Sequence, residues 1–360
     1  MVALNMSELF LSSMTHVIPI TVILRERILP VPGAILARVN ERVQATDIVA
    51  EAEIEPKHYY LDIARGLGLS AKESGRQITC QKGDRVDKGD VLAGPVGVPR
   101  RTIRAPAAGR VAAINSGRIL LETYGQVLQL KAGFPGKVIS TDGVQVVSIE
   151  TVGTLIQGVW GNGLQNYGVM RLVGDGPSSR LQTDQLDVNL RGAVLVAGMC
   201  DHPAPFHQAT ELSVRGVILG GMSSELIPVA RRLPYPVLLT EGFGDHPINS
   251  AAFNLFVSNV GREVAVDAGS AWPQPGERPE AIIPQPSNRQ VSHPDRVVAL
   301  KPGVRIRILK PPYLGEVAVV KEVLKRVETY PNGIRAKSAM VEIDGIGTKA
   351  IPLANMEILQ

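Results

Sequence analysis

Apolar and polar positions alternate along most of the first third of the chain. Between about residues 18 and 125, short runs of Val, Ile and Leu are separated by Gly, Pro and Asn. Apolar side chains at every second position mark half-buried strands, and the separators mark turns. Similar text continues over 126–189, as in Val144-Gln145-Val146-Val147-Ser148-Ile149. There the turn Gly158-Val159-Trp160-Gly161-Asn162-Gly163 places an indole where it would cover a core edge. After Leu190 the pattern changes. Continuous apolar stretches at 193–197, 216–220, 236–240 and 263–267 alternate with helical segments at 206–214, 224–232 and 248–258. Strands buried on both faces and separated by helices predict parallel βαβ units with right-handed crossovers.

One segment recurs. Glu41-Arg42-Val43-Gln44-Ala45-Thr46-Asp47-Ile48-Val49-Ala50 aligns with Asp84-Arg85-Val86-Asp87-Lys88-Gly89-Asp90-Val91-Leu92-Ala93. Two half-units of this size predict a pseudo-two-fold sandwich whose halves share one core. The second copy, followed by Arg104-Ala105-Pro106-Ala107-Ala108-Gly109-Arg110-Val111, resembles the barrel-sandwich hybrid of lipoyl and biotinyl carrier domains. It is closest to the form in the C subunit of Rnf-type electron-transport complexes, and the same fold is embedded in the large subunits of RNA polymerase. In carrier domains the modified lysine sits on an exposed hairpin. Here that interval, 94–104, contains no lysine and carries Arg100, Arg101 and Arg104 instead. Arginine cannot be lipoylated or biotinylated by amide chemistry. The resemblance therefore implies a scaffold or docking surface over 16–125, with a basic hairpin and no lipoyl or biotinyl cofactor.

The α/β stretch, 190–268, resembles small swivelling or flavodoxin-like domains in pattern. In such sheets ligands sit beyond the carboxyl ends of the strands. Asp-His-Pro occurs there twice, as Asp201-His202-Pro203 and Asp245-His246-Pro247, each after an apolar strand. Asp before Pro is common helix-start punctuation, so both copies can be caps. Sharper readings compete with that one. Cys200, His202, His207 and His246 could hold a divalent metal. Asp201 or Asp245 beside its histidine could exchange protons. Gly220, Gly221, Ser223 and Ser224, with Asp201 and Asp245 nearby, could form a small-ligand or anion site at a helix start.

Prolines 273, 275, 279, 284, 286 and 294 mark 269–294 as an extended linker. Residues 295–360 then alternate again, as in Val304-Arg305-Ile306-Arg307-Ile308. With turns at Pro302-Gly303 and at Pro312-Tyr313-Leu314-Gly315, and a closing stretch at 352–359, this end resembles the KOW motif. That motif is an SH3-like barrel of transcription elongation factors and some ribosomal proteins. The resemblance implies RNA or protein as partner. Arg305, Arg307, Lys310, Lys321, Lys325 and Arg326 would meet phosphates and Tyr313 would stack.

Composition narrows the classes. An apolar fraction of 44% excludes a disordered chain, and 36 Gly with 26 Pro fit many short strands. Cys80 and Cys200 are the only cysteines, with no CxxC, so iron-sulfur and zinc-ribbon chemistry is unsupported. No leader pattern and no long apolar run occur, so a cytoplasmic protein without a transmembrane segment is expected. The net charge is +4. Residues 295–360 carry eleven Lys and Arg against seven Asp and Glu, and the interval between Asp90 and Glu122 contains no acid. The expectation is a multidomain chain, β-rich plus α/β: barrel-sandwich hybrid, small parallel α/β swivelling-like domain and C-terminal SH3-like barrel. Its expected function is that of a non-catalytic adaptor or assembly protein docking on a macromolecular partner such as a transcription or ribonucleoprotein complex. The alternatives are a small-ligand or metal-binding protein or enzyme that uses the strand-end edge of the α/β stretch, and an accessory subunit of a redox complex.

Overall fold

The computed structural model describes residues 13–269, 278–285, 291–295 and 298–360. The molecule is β-rich, with curled sheets and a half-barrel. The longest pairing joins Val17–Ile28 to Val146–Gln157, antiparallel from Val146↔Ile28 to Ile156↔Val17. Alternation turns Ile23, Ile149 and Leu155 into a core that Val43, Val49, Phe134 and Val138 complete. Ile48–Ile54 pairs with Gln126–Lys131 on the same core, starting at Gln126↔Ile54.

Between those two strands the chain makes a long excursion. Residues 58–123 form a sheet ordered His58–Asp62, Arg118–Thr123, Gly109–Asn115, Arg85–Val86, with a hairpin of Val91–Val96 and Arg101–Arg104. The sequence repeat is therefore also a structural one. Gln44 N–H donates to Asp47 and Asp87 N–H donates to Asp90; Arg38 N–H donates to Glu41 and Gln81 N–H to Asp84. The two copies do not share a core, however. Val43 and Val49 line the first, whereas Val86 and Leu92 pack with Val111, Ile119 and Leu121. The cause is nesting: the second copy lies inside a strand pair of the first, so each copy finds its own partner strand. Arg42–Val43 pairs with Gly136–Thr141, and Arg85–Val86 pairs with Gly109–Asn115.

Gln165–Leu172, Ala193–Cys200, Gly216–Met222 and Val237–Phe243 run parallel, as their unbroken apolar text requires. The expected fourth crossover strand differs. Glu263–Asp267 runs antiparallel to Gln165–Leu172, on the far side of the parallel group. Glu280–Pro284 then pairs antiparallel with both Glu263–Asp267 and Val146–Gln157. The parallel strands and the N-terminal pair thereby merge into one mixed eleven-stranded sheet. Glu280–Pro284 falls where the sequence predicts linker. Its Ala281, Ile282 and Ile283 are buried because the strand fills the gap between two strands that each need a partner. Pro273, Pro275 and Pro286 lie outside the described residues.

At the carboxyl end Arg305–Ile308, Val317–Thr329, Arg335–Ile343 and Gly347–Pro352 form a meander, and Met356–Leu359 returns to pair with the first. Ile306, Ile308, Val320, Val341 and Ile358 fill its interior. Met14–Thr15 adds a parallel strand on Met356–Leu359. Among the described residues no helix is long and apolar enough to cross a membrane.

Candidate functional site

The parallel strands Ala193–Cys200, Gly216–Met222 and Val237–Phe243 end side by side. Both Asp-His-Pro segments leave this edge. Their carboxylates meet on one residue that sequence reading does not single out, Arg180. Its Nη1 donates to Asp201 Oδ2 at 2.6 Å and its Nη2 to Asp245 Oδ1 at 3.0 Å. The backbone fixes it there, since Met199 N–H donates to Ser179 and Leu181 N–H to Met199. The hydrogen bond it donates to Asp245 and the charges of both acids hold the guanidinium above its ordinary pKa. Neither Asp caps a helix, contrary to the commonest use of such a segment. Ala204–Glu211 begins after Pro203 with no side-chain cap, and Ser250–Ser258 is capped by Asn249, whose side chain accepts from Ala252 N–H. The three partners are at least partly exposed, so the clamp positions these loops more than it stabilises them.

The metal reading does not assemble. Among the described residues no group of three or more His, Cys, Asp or Glu stands close enough to hold an ion. His202 and His207 are exposed and His246 is half-buried. Cys200 is buried, and its thiol donates to the carbonyl of His202 at 3.2 Å. Burial pushes that thiol up to about 12, so it stays protonated, whereas a ligand must be thiolate. Iodoacetamide at about pH 8 is therefore expected to leave Cys200 unmodified in the native protein and to label it in urea. Peptide mass mapping reads this, and native labelling of Cys200 contradicts the assignment.

The glycine pair is also occupied. Gly220 and Gly221 lie within the strand Gly216–Met222, not in a loop before a helix. The segment 244–248 rests on them. A Cβ at Gly220 would stand 2.4 Å from Ile248 N, and one at Gly221 2.4 Å from the Gly244 carbonyl. Ser223 makes no capping bond, and Ser224 opens only a three-residue turn. The predicted anion loop is thus backbone packed under backbone.

Below the edge lies a buried ion-pair network. Glu241 accepts from Asn249 Nδ2 at 2.7 Å and from Arg307, whose side chain is 3% exposed. Arg307 also bonds Glu357 and the Thr240 carbonyl, and Arg278 joins Glu357 at 2.9 Å. Arg307 therefore cannot meet phosphate. Alternation does turn it away from the barrel interior, but that outer face packs against the large sheet. The other predicted contacts divide. Arg305, Lys310, Lys325 and Arg326 are exposed, Lys321 pairs with Glu342, and Tyr313 packs half-buried against the barrel core. On the hairpin Arg100, Arg101 and Arg104 are all exposed, and Arg104 donates to the Gly89 carbonyl at 2.8 Å.

A separate cleft of about 300 Å³ is lined by Arg171, Leu172, Val173, Gly174, Gln185, Asp187, Asn189 and Leu190. None of the sequence-predicted site residues borders it. A comparison with protein-family models finds no match for this chain, and neither does a comparison with curated proteins.

Proposed function

We propose that the chain is a modular docking protein that holds a macromolecular complex together, of the kind built around transcription or ribonucleoprotein assemblies. The observation that carries this reading is the excursion at 57–124. Among the described residues, every hydrogen bond and ion pair it makes closes within it, and its core is its own. Among the described residues its attachment runs through the paired strands at Ile54 and Gln126. A unit of this kind adds no support to the remaining cores, which favours presentation to a partner. We read the two nested copies as barrel-sandwich hybrids and the parallel strands as a swivelling-like unit. The closing meander reads as a KOW-type barrel, supported by its returning last strand and the short turn Leu353–Asn355.

The test is excision. Removing residues 56–124 and setting Glu55→Asn leaves Asn-Gly as a two-residue hairpin loop between Ile54 and Gln126. The shortened protein is expected to keep the melting transition of the remaining cores and to lose protein or RNA that co-purifies with the full chain. Identical co-purified material from both forms defeats the reading. A second reading, capture of a small polar ligand, is favoured by the cleft at Arg171, Asp187 and Asn189.

A further inference from the structure

We infer that the arginine face around the hairpin Val91–Val96/Arg101–Arg104 binds the phosphate backbone of double-helical DNA without regard to sequence; this rests on the docking reading and names the partner chemistry. Residues 57–124 carry twelve Lys and Arg against six Asp and Glu, a net +6 in a chain whose total is +4. Five of the six acids of this unit are already engaged. Asp62 and Glu122 pair with Arg118 and Arg110, Asp84 and Asp90 accept backbone N–H groups in turns, and Glu73 closes a capping box with Ser70. Arg65, Arg76, Arg100 and Arg101 are exposed, and their guanidinium groups make no hydrogen bond or ion pair with a described residue.

These four surround one hairpin. Arg101 lies against Gly68, the cap of the helix Ile63–Leu67 that contains Arg65; a Cβ at Gly68 would be 3.1 Å from its Nη1. Arg76 precedes Gln77, whose carbonyl accepts the Gly94 N–H at the other side of the hairpin. Arg100 closes the tip beside Val98. Unpaired like charges carried on and beside one hairpin raise the local potential and attract a polyanion. All four are arginines, whose planar fork matches phosphate oxygens.

The surroundings choose among polyanions. Protein hot spots are built on buried aromatic or large apolar anchors, and the hairpin offers only Val91 and Val98 exposed. One valine tip does not anchor a bilayer. Single strands need stacking rings, yet exposed Tyr60 lies on another strand, under Arg118 at 5.7 Å. A two-stranded ribbon fits the B-form major groove, about 12 Å wide, whereas the deep A-form groove of RNA excludes side chains.

Fluorescence anisotropy of the full chain with a fluorescein-labelled DNA duplex about two helical turns long tests this. Four phosphate contacts predict an affinity that falls roughly 100-fold between about 50 and about 200 mM salt. The variant Arg65→Gln/Arg76→Gln/Arg100→Gln/Arg101→Gln is expected to abolish most of that dependence while melting as the parent does. The matching Arg→Lys set retains it, and the barrel set Arg305→Gln/Lys310→Gln/Lys325→Gln/Arg326→Gln leaves it intact. Absence of duplex binding at low salt, loss in the barrel set with retention in the hairpin set, or tighter binding to single-stranded RNA or to phosphatidylserine vesicles overturns the inference. If duplex binding is absent while excision of 56–124 still strips a co-purifying partner, this inference falls and the docking reading stands. Hairpin-dependent duplex binding with unchanged co-purified material supports the inference and removes the docking reading.

Discussion

Arg307→Ala is expected to cost about 3–5 kcal/mol, the range for breaking a buried ion pair by removing one partner. Its side chain is 3% exposed between Glu241 at 6% and Glu357 at 5%, so truncation leaves two buried carboxylates facing each other. Arg278 remains on Glu357, but nothing replaces the cation at Glu241 among the described residues. Burial by itself would raise Glu357; the charges of Arg307 and Arg278 outweigh it and hold the group below the ordinary carboxylate range. In the parent this contribution is complete above the unfolded pKa and is lost as pH falls through the lowered folded value. In the variant Glu357 loses that cation and titrates higher, so the deficit is expected to be largest near about pH 7 and to shrink toward about pH 4.5. Urea unfolding at the two pH values reads both effects. Because Val317 and Leu359 pack on the core of the large sheet beside this network, barrel and sheet should unfold together in the parent and separately in Arg307→Ala. The double variant Arg307→Met/Glu241→Gln leaves Glu357 paired with Arg278, removes the uncompensated charge at Glu241 and is expected to recover most of the loss. A cost below about 1 kcal/mol for Arg307→Ala would mean that the network is solvated.

Arg307 also shows where the sequence stopped being readable. Alternation in Arg305–Ile308 places both arginines on the same outward face, and that much is legible. Which of them meets water depends on a sheet built from residues more than sixty positions away, and no local pattern encodes it. Arg180 is hidden for the same reason, since its two acids lie 21 and 65 residues along the chain. The parallel strands were legible because burial on both faces leaves an unbroken apolar run, as in Ala193–Cys200. Strand direction was not: Glu263–Asp267 has the same texture whether it pairs parallel or antiparallel. The repeat at 41–50 and 84–93 was visible as a repeat, with its turn acids in equivalent roles. Inward-facing residues do not specify which strand they will face, so one shared core and two nested cores produce the same text.

Gly220→Ala is expected to destabilise the protein by about 3 kcal/mol, the upper end of the cost of overpacking a well-filled interior. The added Cβ would lie 2.4 Å from Ile248 N, 2.6 Å from the His246 carbonyl and 2.6 Å from Pro247 C. All three are backbone atoms, which cannot step aside by changing rotamer. Relief requires lifting the segment 244–248, and that displaces Asp245 from Arg180 and pulls at Asn249, which caps Ser250–Ser258 and holds Glu241. Gly198→Ala should behave alike on the neighbouring strand, where a Cβ would meet the Pro177 and Ser179 carbonyls at 2.5 Å. Gly75→Ala supplies the opposite sign. That glycine ends the short helix Ala71–Gly75 with nothing within 4 Å of a Cβ, so alanine should stabilise by about 0.5–1 kcal/mol. Thermal and urea unfolding of the three variants separates backbone collision from a general effect of replacing glycine. If Gly220→Ala melts like the parent, the segment 244–248 does not rest on this strand, and the glycine pair is open to an anion after all.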